Sequence, residues 1–125
     1  MKKNIINANN APAAVGPYSH GSKAGNVIYI SGQLGLDPVS GEMAENVEAQ
    51  AERGFANLKT ILETAGAGFE NIVKTTVFLT DMNDFAVVNE IYAKYFTSDY
   101  PARSCVQVTA LPKNGAFEIE AIAVV

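Results

Sequence analysis

Two helical stripes are all this chain offers to cover a sheet. Val47, Ala51, Phe55, Leu58, Leu62 and Ala65 recur at three- and four-residue steps, the spacing of one helix face. Phe85, Val88, Tyr92 and Tyr95 make a second stripe. Around them the period falls to two. Val27–Ser31 (VIYIS), Lys74–Thr80 (KTTVFLT), residues 101–108 (PARSCVQV) and Phe117–Val125 (FEIEAIAVV) read as strands. Tyr18–Lys23 adds a hairpin arm turning at Gly25-Asn26. The expected order is β(β)–α–β–α–β–β in one domain over residues 1–125: an α+β two-layer sandwich, a mixed sheet with two helices on one face. The strands carry apolar groups on both faces, so the second face needs cover. A partner subunit is the simplest cover.

Punctuation supports these boundaries. Asp37–Glu42 (DPVSGE) is a turn cluster, and Gly66 follows the first stripe as a helix stop. Asp81–Asn83 offers a turn and an N-cap, and Pro101 breaks the chain before the Arg–Cys strand. Leu111–Gly115 (LPKNG) is short enough to make the last two strands hairpin neighbours, which would put Arg103 near Glu118 or Glu120.

Composition narrows the function. The net charge is −4 with no basic run, which argues against nucleic acid. MKKNIINANN lacks the apolar core of a signal peptide, and no stretch is long and apolar enough to span a membrane. A single cysteine forms no internal disulfide, which fits a reducing cytoplasm. Apolar residues make up 48% of only 125 positions, which again points to an oligomer.

Few residues could carry chemistry. Arg103, Cys105 and Gln107 share one strand face. Arg103 can form a structural ion pair with a glutamate, or stay free to grip a carboxylate bidentately. Glu118 and Glu120 share a face that begins acidic and ends apolar, so they are either solvated or partly desolvated. Cys105 is either a small buried hydrophobe or a thiolate favoured by Arg103. The only histidine, His20, has no sequence link to the thiol, and one histidine with one cysteine argues against zinc. The glycines at 16, 21, 25, 32 and 35 match neither a dinucleotide fingerprint nor a P-loop. Tyr18 reads as a core aromatic or a pocket wall.

Several stretches together resemble a known family. APAAVGPYSHG (11–21), YISGQLGLDPVSGE (29–42), KTTVFLTDMNDFAVVNEIYAKYF (74–96), YPARSCVQVTALPK (100–113) and EIEAIAV (118–124) resemble the RidA/YjgF/YER057c/UK114 family, in particular its deaminating branch. The resemblance implies a chorismate-mutase-like fold and a homotrimer with sites between subunits. It implies hydrolysis of reactive enamines and imines, 2-aminoacrylate and 2-iminobutanoate, to 2-oxo acids and ammonia, without cofactor or metal. It makes Arg103 the carboxylate clamp and Glu118 the group that positions water or moves protons. Tyr18, Ser31, Gly32 and Asn89 become pocket residues, and Cys105 a backbone contact. The chain departs from the pattern at His20, where glutamine is usual, and at TALPKNG, which lacks the arginine of ARLPKD. Competing readings are a non-enzymatic regulator or interaction module that binds a 2-oxo acid, and an RNA-cleaving role disfavoured by the charge.

Overall fold

A computed structural model describes residues 2–125. Six strands form one sheet: β1 (Lys3–Ile6), β2 (Gly21–Ala24), β3 (Val27–Leu34), β4 (Ile72–Leu79), β5 (Ala102–Gln107) and β6 (Phe117–Val124). Their order is β1-β2-β3-β6-β4-β5. Only β4 and β5 run parallel. The crossover between them is α2 (Phe85–Tyr95), and α1 (Val47–Thr64) packs on β3 and β6. This is the α+β two-layer arrangement that the periodicities predict.

The α1 stripe is the core. Ala51, Phe55, Leu58, Ile61 and Leu62 are fully buried against Phe117 and Ile119 of β6 and Val77 and Leu79 of β4. Each such large side chain contributes ~1.5–3 kcal/mol relative to exposure. Asn46 starts the helix, its side chain accepting from the Ala49 N–H at 2.9 Å. The helix ends as Gly66 foretells. Gly66 takes φ 77°, its N–H donates to the Glu63 carbonyl at 3.0 Å, and the Ala67 N–H reaches back to Leu62 at 2.9 Å.

Three expectations need correction. The last two strands are not hairpin neighbours. β6 lies between β3 and β4, while β5 pairs β4 in parallel at the sheet edge. Residues 112–114 form a single 3-10 turn that carries the chain from the edge strand to the middle of the sheet. Arg103 is therefore not beside Glu118 or Glu120. Second, Lys3–Ile6 is a strand that the polar sequence does not announce. Third, the hairpin arm is Gly21–Ala24, so Tyr18 and His20 lie before it. The Gly25-Asn26 turn itself is present, with Ala24 paired to Val27.

Candidate functional site

β5 sets the first group. Arg103 faces α2. Its NH1 donates to Asn89 Oδ1 at 2.7 Å, and its guanidinium carbon lies 4.7 Å from the Tyr92 ring centre and 5.5 Å from that of Phe85. Phe85, Asn89 and Tyr92 follow helical spacing, so one face of α2 braces one arginine. No carboxylate pairs with it: the recorded ion pairs among the described residues are Arg53–Asp37 and Lys94–Glu52. Nε and NH2 remain to receive an anion. A cleft of about 420 Å³ opens beside Asn89, Tyr92, Tyr100 and Arg103.

Cys105 shares that face and packs on the core. Burial pushes its thiol up, against the opposing pull of Arg103. Of the two readings of Cys105, the small hydrophobe prevails over the activated thiolate.

The second group gathers around a bulge in β3. Ile30 pairs with Ala121 and Gln33 with Ile119, so Ser31 and Gly32 together oppose Glu120. Ser31 is held at both ends: its N–H donates to the His20 carbonyl at 2.9 Å and its Oγ to the Ser19 carbonyl at 2.7 Å. Gly32 supports the Glu118 carboxyl. A methyl on Gly32 would sit 2.7 Å from both Cδ and Oε2 of Glu118. Glu118 is half-buried, and burial first, then the neighbouring charge of Glu120, raises its pKa. Among the described residues it takes no ion pair. Tyr18 is 47% exposed, its hydroxyl accepting from the Val15 N–H at 3.3 Å, so it is a wall and not a core aromatic. With Ser31 it lines a second cleft, of about 390 Å³.

The two groups do not meet within the chain. Glu118 alternates with buried Phe117 and Ile119 and so projects from the sheet face opposite α1. Arg103 projects toward α2 on the helix side. The sequence reading sets Glu118 beside Arg103 and puts Ser31 and Gly32 across a subunit interface, whereas within this chain Glu118 lies against Gly32 and Arg103 against Asn89. It misses Phe85, which sits in the apolar stripe yet is 37% exposed over the guanidinium. The spacing Phe85, Asn89, Tyr92 carried that signal.

Comparison with known proteins agrees with this fold. A family model described as Endoribonuclease L-PSP matches residues 8–125. The Bos taurus protein named 2-iminobutanoate/2-iminopropanoate deaminase is 51% identical over 125 residues, covering 99% of this chain and 91% of its own. A Salmonella typhimurium protein of the same name is 52% identical over 127 residues, covering 99% and 98%. Among solved structures, RidA from the Antarctic bacterium Psychrobacter superposes with TM-score 0.95 at 51% identity, over 98% of this chain and 99% of that one. TdcF of E. coli, solved with bound serine, gives 0.93 at 46%, over 98% of each. Matched along nearly its whole length in sequence and in fold, the chain belongs to the RidA/YjgF family.

Proposed function

We propose that this chain hydrolyses small 2-imino acids to 2-oxo acids and ammonia, in the cytoplasm, as a homotrimer whose sites are shared between adjacent subunits. The carrying observation is the braced arginine with no carboxylate partner. A guanidinium fixed by Asn89, Phe85 and Tyr92 but left open at Nε and NH2 suits an anion from outside the chain. Relatives about half identical are named 2-iminobutanoate/2-iminopropanoate deaminase, and a neighbour was solved with serine, a small carboxylate. The net charge of −4 gives little hold on a phosphodiester backbone, which weighs against cleavage of RNA.

Two features support sharing between subunits. Arg103 and Glu118 lie on opposite faces of one sheet, so a single chain cannot offer both to one small molecule. The open face also exposes apolar groups, including Tyr29 and Val106, that a neighbouring copy would cover.

In this reading Arg103 clamps the carboxylate and fixes the imine carbon. The neighbour's copy of Glu118, as carboxylate, takes a proton from water while the water oxygen adds to that carbon. The carboxyl then returns the proton to nitrogen. The carbinolamine's C–N bond then breaks to give the 2-oxo acid, and its hydroxyl proton leaves with the nitrogen as ammonia. Water is consumed and Glu118 ends as it began. A partly desolvated carboxyl suits both transfers. Tyr18, Ser31 and Gly32 wall the same half of the pocket, and Cys105 contributes backbone.

The test generates 2-iminobutanoate in situ with an amino-acid oxidase while semicarbazide traps free imine. Loss of semicarbazone with wild type, and none with folded Arg103→Ala, supports the reading. A folded, trimeric wild type that leaves the semicarbazone unchanged overturns it.

A further inference from the structure

His20 is the only histidine of the chain, and it is 4% exposed. The Ala8 N–H reaches its Nδ1 at 3.0 Å, and its Nε2 lies 2.7 Å from the Pro12 carbonyl oxygen. A backbone N–H only donates and a carbonyl only accepts. The partners therefore dictate the tautomer: Nδ1 is bare and Nε2 carries the proton. The backbone of His20 adds two more ties. Its N–H donates to Asn7 Oδ1 at 3.1 Å, and its carbonyl accepts from the Ser31 N–H at 2.9 Å. One residue thus joins the 7–12 segment to the bulge of β3, between Tyr18 and Ser31 of the proposed site.

The surroundings offer an imidazolium no countercharge and, at Nδ1, no acceptor. The walls are Pro12, Ala13 and Val15 from the loop and Gly32, Gln33 and Leu34 from β3, around a cavity of only about 20 Å³. Among the described residues, Tyr18 is the one other titratable group lining it. The Glu118 carboxyl, from β6, lies against Gly32 and makes no hydrogen bond to the ring.

We propose that His20 is a positioning residue that works only as the neutral imidazole: it latches the 7–12 segment to β3, so holding Tyr18 and Ser31 in place, and its protonation opens the latch. A proton on Nδ1 would face the Ala8 N–H, donor against donor. The Ala8 bond would be lost and a charge buried with no countercharge, held only by the Pro12 carbonyl. Because the latch holds the neutral ring, acid opens it and base leaves it closed. Glutamine would behave differently. Its carboxamide oxygen accepts and its nitrogen donates, so it can satisfy Ala8 and Pro12 with no proton to gain. This chain carries a titratable pair where a fixed one would serve.

The effect on turnover rests on the proposed deaminase reading, whereas the latch does not. The experiment compares wild type with His20→Gln from about pH 8 down to the pH at which the ring nitrogen shifts of wild type show the imidazolium. Two quantities are read: the Ala8 amide protection factor by hydrogen exchange, corrected for the intrinsic rate, and kcat/KM for imine hydrolysis. Toward acid, wild type should lose at least about fivefold more Ala8 protection than His20→Gln, with kcat/KM falling in step. Superimposable protection curves overturn the latch. If neither protein hydrolyses imine at the higher pH, the deaminase reading fails and the Ala8 curves alone decide the latch. Should His20→Gln not fold, ring nitrogen shifts of wild type serve instead. Titration of His20 with loss of Ala8 protection supports the proposal, and titration without it overturns it.

Discussion

Arg103 and Glu118 stand on opposite faces of the same sheet with β4 between their strands. Arg103 pairs with Thr75, and Glu118 with Phe78, three residues further along β4. Strand spacing and rise put their Cα atoms about 14 Å apart. A small imine cannot bridge that distance through a sheet. The opposition of these two residues is what most supports the proposal of a site that takes half its groups from each of two chains.

Replacing Arg103 should remove the clamp without harming the fold, because the residue is exposed on an edge strand. Arg103→Ala should lower kcat/KM for 2-iminobutanoate by ~100-fold or more, a loss typical of a charge-assisted pair. Arg103→Lys should recover little, since a point charge does not reproduce the fork. Steady-state kinetics beside a thermal melt checks both.

Asn89 holds one arm of that fork at 2.7 Å. Asn89→Ala should release the guanidinium while leaving its charge in place. The expected loss in kcat/KM is about tenfold, smaller than for Arg103→Ala. An equal loss in the two variants would mean that Asn89 does more than position the arginine.

Glu118→Gln should move activity and stability in opposite directions. Burial and Glu120 raise this carboxyl above its ordinary value of 4.5. In the folded chain the charged form is disfavoured, so stability is lost as pH rises from the ordinary carboxyl range through the raised value and stays lost above it. The neutral amide lacks that penalty. At neutral pH the variant should melt higher than wild type, while kcat falls about 100-fold or more. Below the ordinary carboxyl range the two melting points should converge.

Gly32 is a test of placement. A methyl there meets the end of a flexible side chain, so the fold can absorb it but the carboxyl must move. Gly32→Ala should keep its melting point within a few degrees and lose about tenfold or more in kcat. A crystal structure of the variant should show Glu118 in another rotamer.

Much of this architecture is legible from periodicity. The α1 stripe and Gly66 mark a helix whose buried face is the one expected, and alternation in β6 separates Phe117 and Ile119 from Glu118. Strand order is not legible. A five-residue turn suggests a hairpin, but two strands in sequence need not be neighbours when the 3-10 turn at Pro112–Asn114 lets the chain step across β4. β1 escapes notice because four residues beginning Lys-Asn carry no pattern, and an edge strand needs none. Within the site, alternation groups Arg103 with Cys105 but says nothing of their face relative to Glu118. That depends on β4 lying between them. The role of His20 is invisible in sequence because its partners are two backbone groups, Ala8 and Pro12.

The shared site is tested most directly by mixing two inactive chains. Arg103→Ala and Glu118→Gln would be co-refolded in equal amounts and assayed by semicarbazone suppression. Each chain supplies the half that the other lacks. If the site joins Arg103 of one subunit to Glu118 of its neighbour, random trimers regain about a quarter of their sites. The mixture should then recover about a quarter of wild-type activity, far above either parent. A folded, trimeric mixture no more active than its parents would contradict the account.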